Sequence, residues 1–229
     1  MLKETIANTE VVIAALNEET GIGVTIDEIS KYLLADRVLV VDGRSIDRTV
    51  EVAKDRGAGI LFQSGLGKGN AILKGIKTLR SQTEYVVFTD ADYTYPAEYV
   101  PSMLELLEQN PEVGMVCGNR LSGDVNEKAL HTRFFFGNKL LSFAHNLLNG
   151  VDLQDPLTGL RVIRADILRK WNVKSKGFDI EVELNSLVQR QGYLTVEIPI
   201  EYRERIGEKK LKMKDGATIL KRILLETIN

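Results

Sequence analysis

Apolar residues in this chain fall into short, near-continuous runs separated by longer amphipathic stretches. Runs at 10–16 (EVVIAAL), 37–42 (RVLVVD), 58–63 (AGILFQ), 84–90 (EYVVFTD) and 113–119 (VGMVCGN) read as strands. The segments between them have helical spacing over about 23–34, 45–57, 65–80 and 96–110. Gly57 stops the second of these, and Pro96 sits in the first turn of the last. Strands alternating with helices at this spacing predict an α/β fold whose mostly parallel sheet carries helices on both faces. The unbroken apolar character of the runs fits strands buried on both sides.

Beyond residue 120 the pattern changes. A long apolar helix is predicted over 132–150 (TRFFFGNKLLSFAHNLLNG), a polar loop over 151–162 and a helix around 165–171. A further helix spans 178–192, and a strand follows over 193–205, where Pro199 favours an edge position. A basic linker, 205–216 (RIGEKKLKMKDG), leads into a C-terminal helix. The 229 residues suit one domain, with a first half at 1–120 and a second at 121–229.

Composition narrows the class. Hydrophobic residues make up 44% and charged residues 27%, as in soluble globular proteins. The net charge of −2 supplies no global field for nucleic acid, so any anion site must be local. Cys117, the single cysteine, lies in an apolar run and reads as a small buried hydrophobe. No run approaches the ~20 apolar residues of a spanning helix, and the first residues lack the apolar core of a secretory signal. The expectation is a protein in a reducing compartment, soluble or peripheral to a membrane.

In open parallel sheets, ligands bind at the carboxyl ends of the strands. The polar clusters fall there: Asn17 and Glu18 after the first strand, Asp42 after the second, Asp90 and Asp92 after the fourth. Asp90 and Asp92 could cap the next helix. A cap needs only one carboxylate, however, whereas a hard divalent cation such as Mg²⁺ takes one or two together with phosphate oxygens and water. Asp42 reads either as a strand-end turn residue or as an acceptor for a nucleobase edge. The glycines of SGLGKGN (64–70) fit neither standard nucleotide loop, so they read as close-packing or lid glycines, with Lys68 able to meet a phosphate. His131 and His145 lack metal-ligand spacing and read as structural or surface residues. Glu181 and Glu183 stand two apart on a helix, which predicts one facing the site and one facing solvent.

These residues carry a resemblance. The chain resembles family 2 glycosyltransferases of the GT-A fold, in the dolichyl-phosphate mannose or glucose synthase-like branch. AALNEE, VVDGRSIDRT, DADYTYP, QDPLTGLR and YRERIGEKKL are similar to that family's segments, in order and nearly end to end. The departures are Gly43 in place of a second aspartate, Thr94 in place of a glutamine, Leu160 in place of a phenylalanine and Lys209 in place of a serine.

The resemblance implies a Rossmann-like central sheet and inverting transfer of a hexose from a nucleotide-diphosphate sugar, of GDP-mannose or UDP-glucose type, to a polyprenyl phosphate. It implies a donor site of Ala15, Asn17, Glu18, Asp42, Lys68, Asp90, Ala91 and Lys210, with Mg²⁺ or Mn²⁺ on Asp90 and Asp92. Asp92 and Arg205 would assist the leaving diphosphate. Arg120, Arg133 and Arg161 would hold the acceptor phosphate. Asp155 would act as base toward a hydroxyl acceptor, or orient the sugar or a neighbouring arginine if the acceptor is a phosphate. The helix at 134–148 and the KKLKMK run suit peripheral contact with the cytoplasmic face of a membrane, directly or through an anchoring subunit. Transfer to a hydroxyl remains the alternative. A sugar-phosphate nucleotidyltransferase would want a glycine- and arginine-rich loop where this chain has LNEETG.

Overall fold

The computed structural model describes residues 2–122 and 133–228. Seven strands among them form one sheet: β1 (Thr9–Ala15), β2 (Val38–Asp42), β3 (Gly59–Phe62), β4 (Tyr85–Asp90), β5 (Val113–Asn119), β6 (Arg161–Arg164) and β7 (Leu194–Pro199). Their order is β3-β2-β1-β4-β6-β5-β7. The helices are α1 (Leu2–Ala7), α2 (Ile22–Ile29), α3 (Thr49–Asp55), α4 (Lys68–Ile76), α5 (Val100–Gln109), α6 (Arg133–Asn149), α7 (Ala165–Arg169), α8 (Ile180–Arg190) and α9 (Met213–Glu226).

Both faces of the sheet are buried. Val11, Ile13, Val40, Val87 and Val162 pack with Ile22 and Ile26 of α2 and with Met103 and Leu104 of α5. The alternate positions Val12, Val41, Val86, Phe88 and Ile163 pack with Ile72 of α4, Ile167 of α7 and Leu184 of α8. This is why the strands read as continuous apolar runs rather than alternating ones. Cys117 is buried in the second layer, as expected.

The pattern missed β6. The polar loop predicted over 151–162 takes in Arg161 and Val162, yet Arg161–Arg164 form a short strand antiparallel to both β4 and β5. Arginines at both ends of RVIR hide its two-residue apolar centre. β6 matters for the site because its direction is reversed. The carboxyl ends of β1, β2, β3 and β4 lie side by side, with Ala14 opposite Asp90, Ala15 opposite Asp42 and Asp42 opposite Phe62. An antiparallel strand begins at the edge where parallel strands finish, so β6 delivers the preceding 155–159 loop to that same edge. β7 takes the edge position that Pro199 suggested. Past Pro199 the predicted strand becomes an extended crossing segment, 200–212.

Candidate active site

A cavity of about 740 Å³ opens at the carboxyl edge of the sheet. Ala15, Asn17, Glu18, Lys68, Asp90, Ala91 and Asp92 line it, together with Arg120, Asp155, Arg205 and Lys210.

Four carboxylates, Asp90, Asp92, Glu18 and Glu181, and two cations, Lys68 and Arg205, make up its centre. Lys68 Nζ donates to Asp90 Oδ1 at 2.7 Å and to Glu181 Oε1 at 2.8 Å. Burial opposes the Lys68 charge, but the two carboxylates hold its ammonium above the ordinary lysine range. Burial also works to raise the Asp90 carboxyl, and Lys68 overrides it to hold that carboxyl low. For Asp92 the balance runs the other way, with burial and then the Asp90 charge pushing it up. Arg205 spans the adjacent pair, reaching Asp92 Oδ2 at 2.7 Å through Nη1 and Glu18 Oε1 through Nη2. Burial pushes the Glu18 carboxyl up to about 7 against the charges of Arg205 and Lys210, and Glu18 Oε2 is buried without a partner.

Local backbone geometry sets this cluster. Tyr93, between Asp92 and Thr94, has φ +66, a conformation costly for a bulky residue. The turn is held from outside: Tyr93 N donates to Thr25 Oγ1, Arg203 N to Thr94 O and Ile206 N to Asp92 O. Those last two bonds dock the 200–212 crossing segment on the carboxylate pair and so place Arg205. Thr94, where the family pattern has glutamine, donates through N and Oγ1 to Asp92 Oδ1, at 3.2 and 2.6 Å. It orients the carboxylate. Gly159 supplies room on the other side, since a Cβ there would stand 2.6 Å from Asp90 Oδ2.

The oxygens fit a divalent cation. Asp90 and Asp92 are hard ligands, and the raised Asp92 carboxyl and orphaned Glu18 oxygen mark a cluster short of positive charge. Among the described residues no three or more His, Cys, Asp and Glu surround one point. The described residues thus offer a carboxylate pair, the donor number Mg²⁺ accepts when phosphate and water complete its shell.

Arg120 and Asp155 form a two-pronged pair, Nε to Oδ2 and Nη2 to Oδ1, both at 2.7 Å. The Arg120 backbone N–H adds a third bond to Asp155 Oδ2, at 3.0 Å. Glu197 of β7 accepts the N–H groups of Gln154 and Asp155, both at 2.7 Å, and so fixes the loop from below. The Arg120 guanidinium also lies over the Tyr202 ring.

Several expected site residues stand elsewhere. Asp42 is fully buried and does not line the cavity. Its oxygens accept Ser45 N and Oγ, which is the strand-end turn reading, while Gly43 and Gln63 reach the cavity wall beside it. Arg161 is buried too, its guanidinium donating to Thr158 O, Pro156 O and Asn185 Oδ1. It props the 155–159 loop and does not face the cavity. The Arg133 side chain, like His131, lies outside the described residues. Glu183 is buried and not solvent-facing, as it accepts Trp171 Nε1, Lys174 N and Ser175 N. His145 is a buried structural residue between Asn149 and Asn185, with a pKa lowered to about 4 by burial and by Arg161. The glycines of SGLGKGN serve close packing. Cβ atoms at Gly67 and Gly69 would stand 2.3 and 2.4 Å from the carbonyls of Lys176 and Ser175.

The sequence reading missed Gln63, Tyr95, Tyr202 and Lys209 as cavity residues. Gln63 directly follows β3, so the strand-end rule could have found it. The tyrosines carry no such signal.

Comparison with known proteins gives this chain its family. Residues 10–171 match the family described as "Glycosyl transferase family 2". The chain belongs to that family. It is 34% identical to a dolichyl-phosphate hexose transferase of Haloferax volcanii over 98% of this chain and 96% of that one. An undecaprenyl-phosphate mannosyltransferase of Micrococcus luteus is 28% identical, over 87% of this chain and 86% of its own. Among solved structures, the glucosyl-3-phosphoglycerate synthase of Mycobacterium tuberculosis with Mn²⁺, UDP-glucose and phosphoglyceric acid superposes with a TM-score of 0.78. It is 22% identical, over 99% of this chain and 84% of that chain. The expected GT-A fold is therefore the observed one.

Proposed function

We propose that this glycosyltransferase moves a hexose, with inversion, from a nucleoside-diphosphate sugar to a polyprenyl phosphate. The observation that carries the choice of acceptor is the Arg120–Asp155 pair. A hydroxyl acceptor needs a carboxylate ready to take its proton. Both Asp155 oxygens are instead engaged by one guanidinium. A phosphate monoester is largely ionised near neutral pH (second pKa ~6) and needs no base, only cations that let it approach a diphosphate. Arg120, oriented by Asp155, is such a cation, and the two polyprenyl-phosphate relatives support the same acceptor.

Asp90 and Asp92 would hold Mg²⁺ or Mn²⁺, and a bound ion there supplies charge neutralisation for the diphosphate. Arg205 adds a fork-shaped donor to the leaving diphosphate, and Lys68 and Lys210 add point charges. In this structure carboxylates partner two of those cations, Asp90 with Lys68 and Asp92 and Glu18 with Arg205, while Lys210 Nζ donates to the backbone carbonyl of Asn17. Donor binding thus exchanges internal ion pairs for contacts with phosphate and metal. Gly43 and Gln63 stand at the end where the nucleoside would lie. The test is transfer of labelled hexose from GDP-mannose and UDP-glucose to a short polyprenyl phosphate, with and without Mg²⁺ or Mn²⁺. Metal-dependent lipid-linked product is expected with one donor. Product only on hydroxyl acceptors would overturn the reading.

The acceptor also calls for a lipid surface. No helix among the described residues is long and apolar enough to cross a membrane. Yet α6 exposes Leu140, Phe143 and Leu147 at helical spacing, each more than 60% exposed, and α9 exposes Leu220 and Leu224. The two helices are joined by a hydrogen bond from Asn149 to Ile223 O, and they wall the cavity through Asn138 and Ile219. An apolar face on the outside of the acceptor wall suits peripheral docking. The protein is expected to pellet with vesicles containing anionic lipid, and the triple variant Leu140→Ser, Phe143→Ser, Leu147→Ser to stay in the supernatant. Equal pelleting of both would reject this face.

A further inference from the structure

Sheet order fixes how far a bound nucleoside would reach. β4 ends on Asp90, and β1, β2 and β3 stand beside it in that order. The residues that follow those three strands, Leu16, Gly43 and Gln63, all line the cavity. Neighbouring strands lie ~4.8 Å apart, so three steps set Gln63 about 14 Å from the end of β4. A nucleoside diphosphate with its phosphates at Asp90 and Asp92 covers that distance, which brings its base to Gln63.

The end of β2 offers that base no carboxylate. Asp42 is fully buried, and its oxygens accept Ser45 N and Oγ at 2.8 and 2.5 Å. The next position, an aspartate in the similar family segment, is Gly43. Its lack of a side chain lets two neighbours close in, since a Cβ there would stand 3.3 Å from both Gln63 Nε2 and Leu16 Cδ1. Leu16 and Gly43 thus give this end of the cavity an apolar surface, and Gln63 gives it a polar edge.

Gln63 is 5% exposed, and its backbone N–H donates to Asp42 O. Among the described residues none hydrogen-bonds its side-chain amide. A buried amide costs free energy until its hydrogen bonds are made, and this one has an acceptor and two donors to place. Uracil and guanine each carry a ring N–H beside a carbonyl oxygen, which is the complement of an amide. The ring N–H would donate to Oε1, and Nε2 would donate to the carbonyl. A carboxylate at the same place could only accept.

We propose that Gln63 is the residue that reads the nucleobase, pairing its side-chain amide with the ring N–H and adjacent carbonyl of uracil or guanine in a slot lined by Leu16 and Gly43. The proposal rests on the nucleoside-diphosphate-sugar reading of the donor above. It is tested by thermal-shift titration with UDP, GDP and inorganic pyrophosphate, each with Mn²⁺, on the wild type and on Gln63→Met, which is close in size and has no amide. The wild type should favour one of the two nucleoside diphosphates. Gln63→Met should bind that one about tenfold or more weakly, for two lost hydrogen bonds, while its response to pyrophosphate stays unchanged. A second arm needs no variant: the favoured diphosphate methylated at the ring nitrogen, N3 of uracil or N1 of guanine, should bind the wild type at least tenfold more weakly. Undiminished affinity of Gln63→Met for the favoured diphosphate, an equal loss of pyrophosphate binding, or undiminished binding of the methylated base would each overturn the role of Gln63 and leave the functional reading intact. A wild-type protein stabilised by neither UDP nor GDP would overturn both.

Discussion

Asp92→Asn is expected to lower transfer about 10³-fold, or ~4 kcal/mol of transition-state stabilisation, while the protein stays folded. The amide keeps the shape of the carboxylate and an oxygen to accept the Thr94 N–H and Oγ1–H bonds, so the strained turn at Tyr93 retains its support. What it removes is the charge of one of the two aspartates expected to hold the metal. In the resting site that charge is costly, because burial and Asp90 both push the Asp92 carboxyl up. Folding thus gains from the loss of like-charge repulsion and gives up one of Arg205's two carboxylate partners, with Glu18 remaining. In the working site the charge is needed, since a divalent ion and a diphosphate bring more charge than one carboxylate can organise. Two measurements check this. The transfer rate should collapse, and stabilisation of the melt by nucleoside diphosphate should lose its dependence on Mg²⁺ or Mn²⁺. A variant within tenfold of wild type, with metal-dependent stabilisation intact, would remove Asp92 from the machinery.

Arg161→Met should act on stability, lowering the melting temperature by about 10 °C. The guanidinium is fully buried and donates to two backbone carbonyls of the 155–159 loop and to Asn185. Asn185 in turn donates to Pro156 O and meets His145. Truncating one member of a buried polar network leaves the others unpaired, at a cost of about 3–5 kcal/mol. For a chain of this size each kcal/mol shifts the melt by roughly 2–4 °C. An acceptor-phosphate role predicts the reverse signature, a normal melt with a raised acceptor KM. Calorimetry together with acceptor kinetics on the folded fraction separates the two.

Arg161 also shows how far a motif reaches. The segment QDPLTGLR is similar to the family pattern, and its arginine is as well matched as its aspartate. Their surroundings differ completely. Asp155 lies at the cavity under Arg120, while Arg161 opens β6 and points into the protein. The same limit applies to Glu181 and Glu183, whose helical spacing predicts opposite faces. It says nothing of what covers each face, and Glu183 turned out to be buried under the loop around Trp171 and Ser175.

The sequence by itself determined the sheet, its burial on both faces and most of the polar residues at its carboxyl edge. Strand runs, helical spacing and strand-end polarity are local properties, and a parallel sheet turns them into a site by lining up its carboxyl ends. Only the tertiary structure decided the partners. Arg120 meets Asp155 from 35 positions away, and Arg205 meets Glu18 from 187. It also decided that β6 runs antiparallel between β4 and β5, which brings Asp155 and Gly159 to the cavity. Burial, charge pairing and hydrogen-bond supply depend on what packs nearby in space, and sequence spacing carries no term for that.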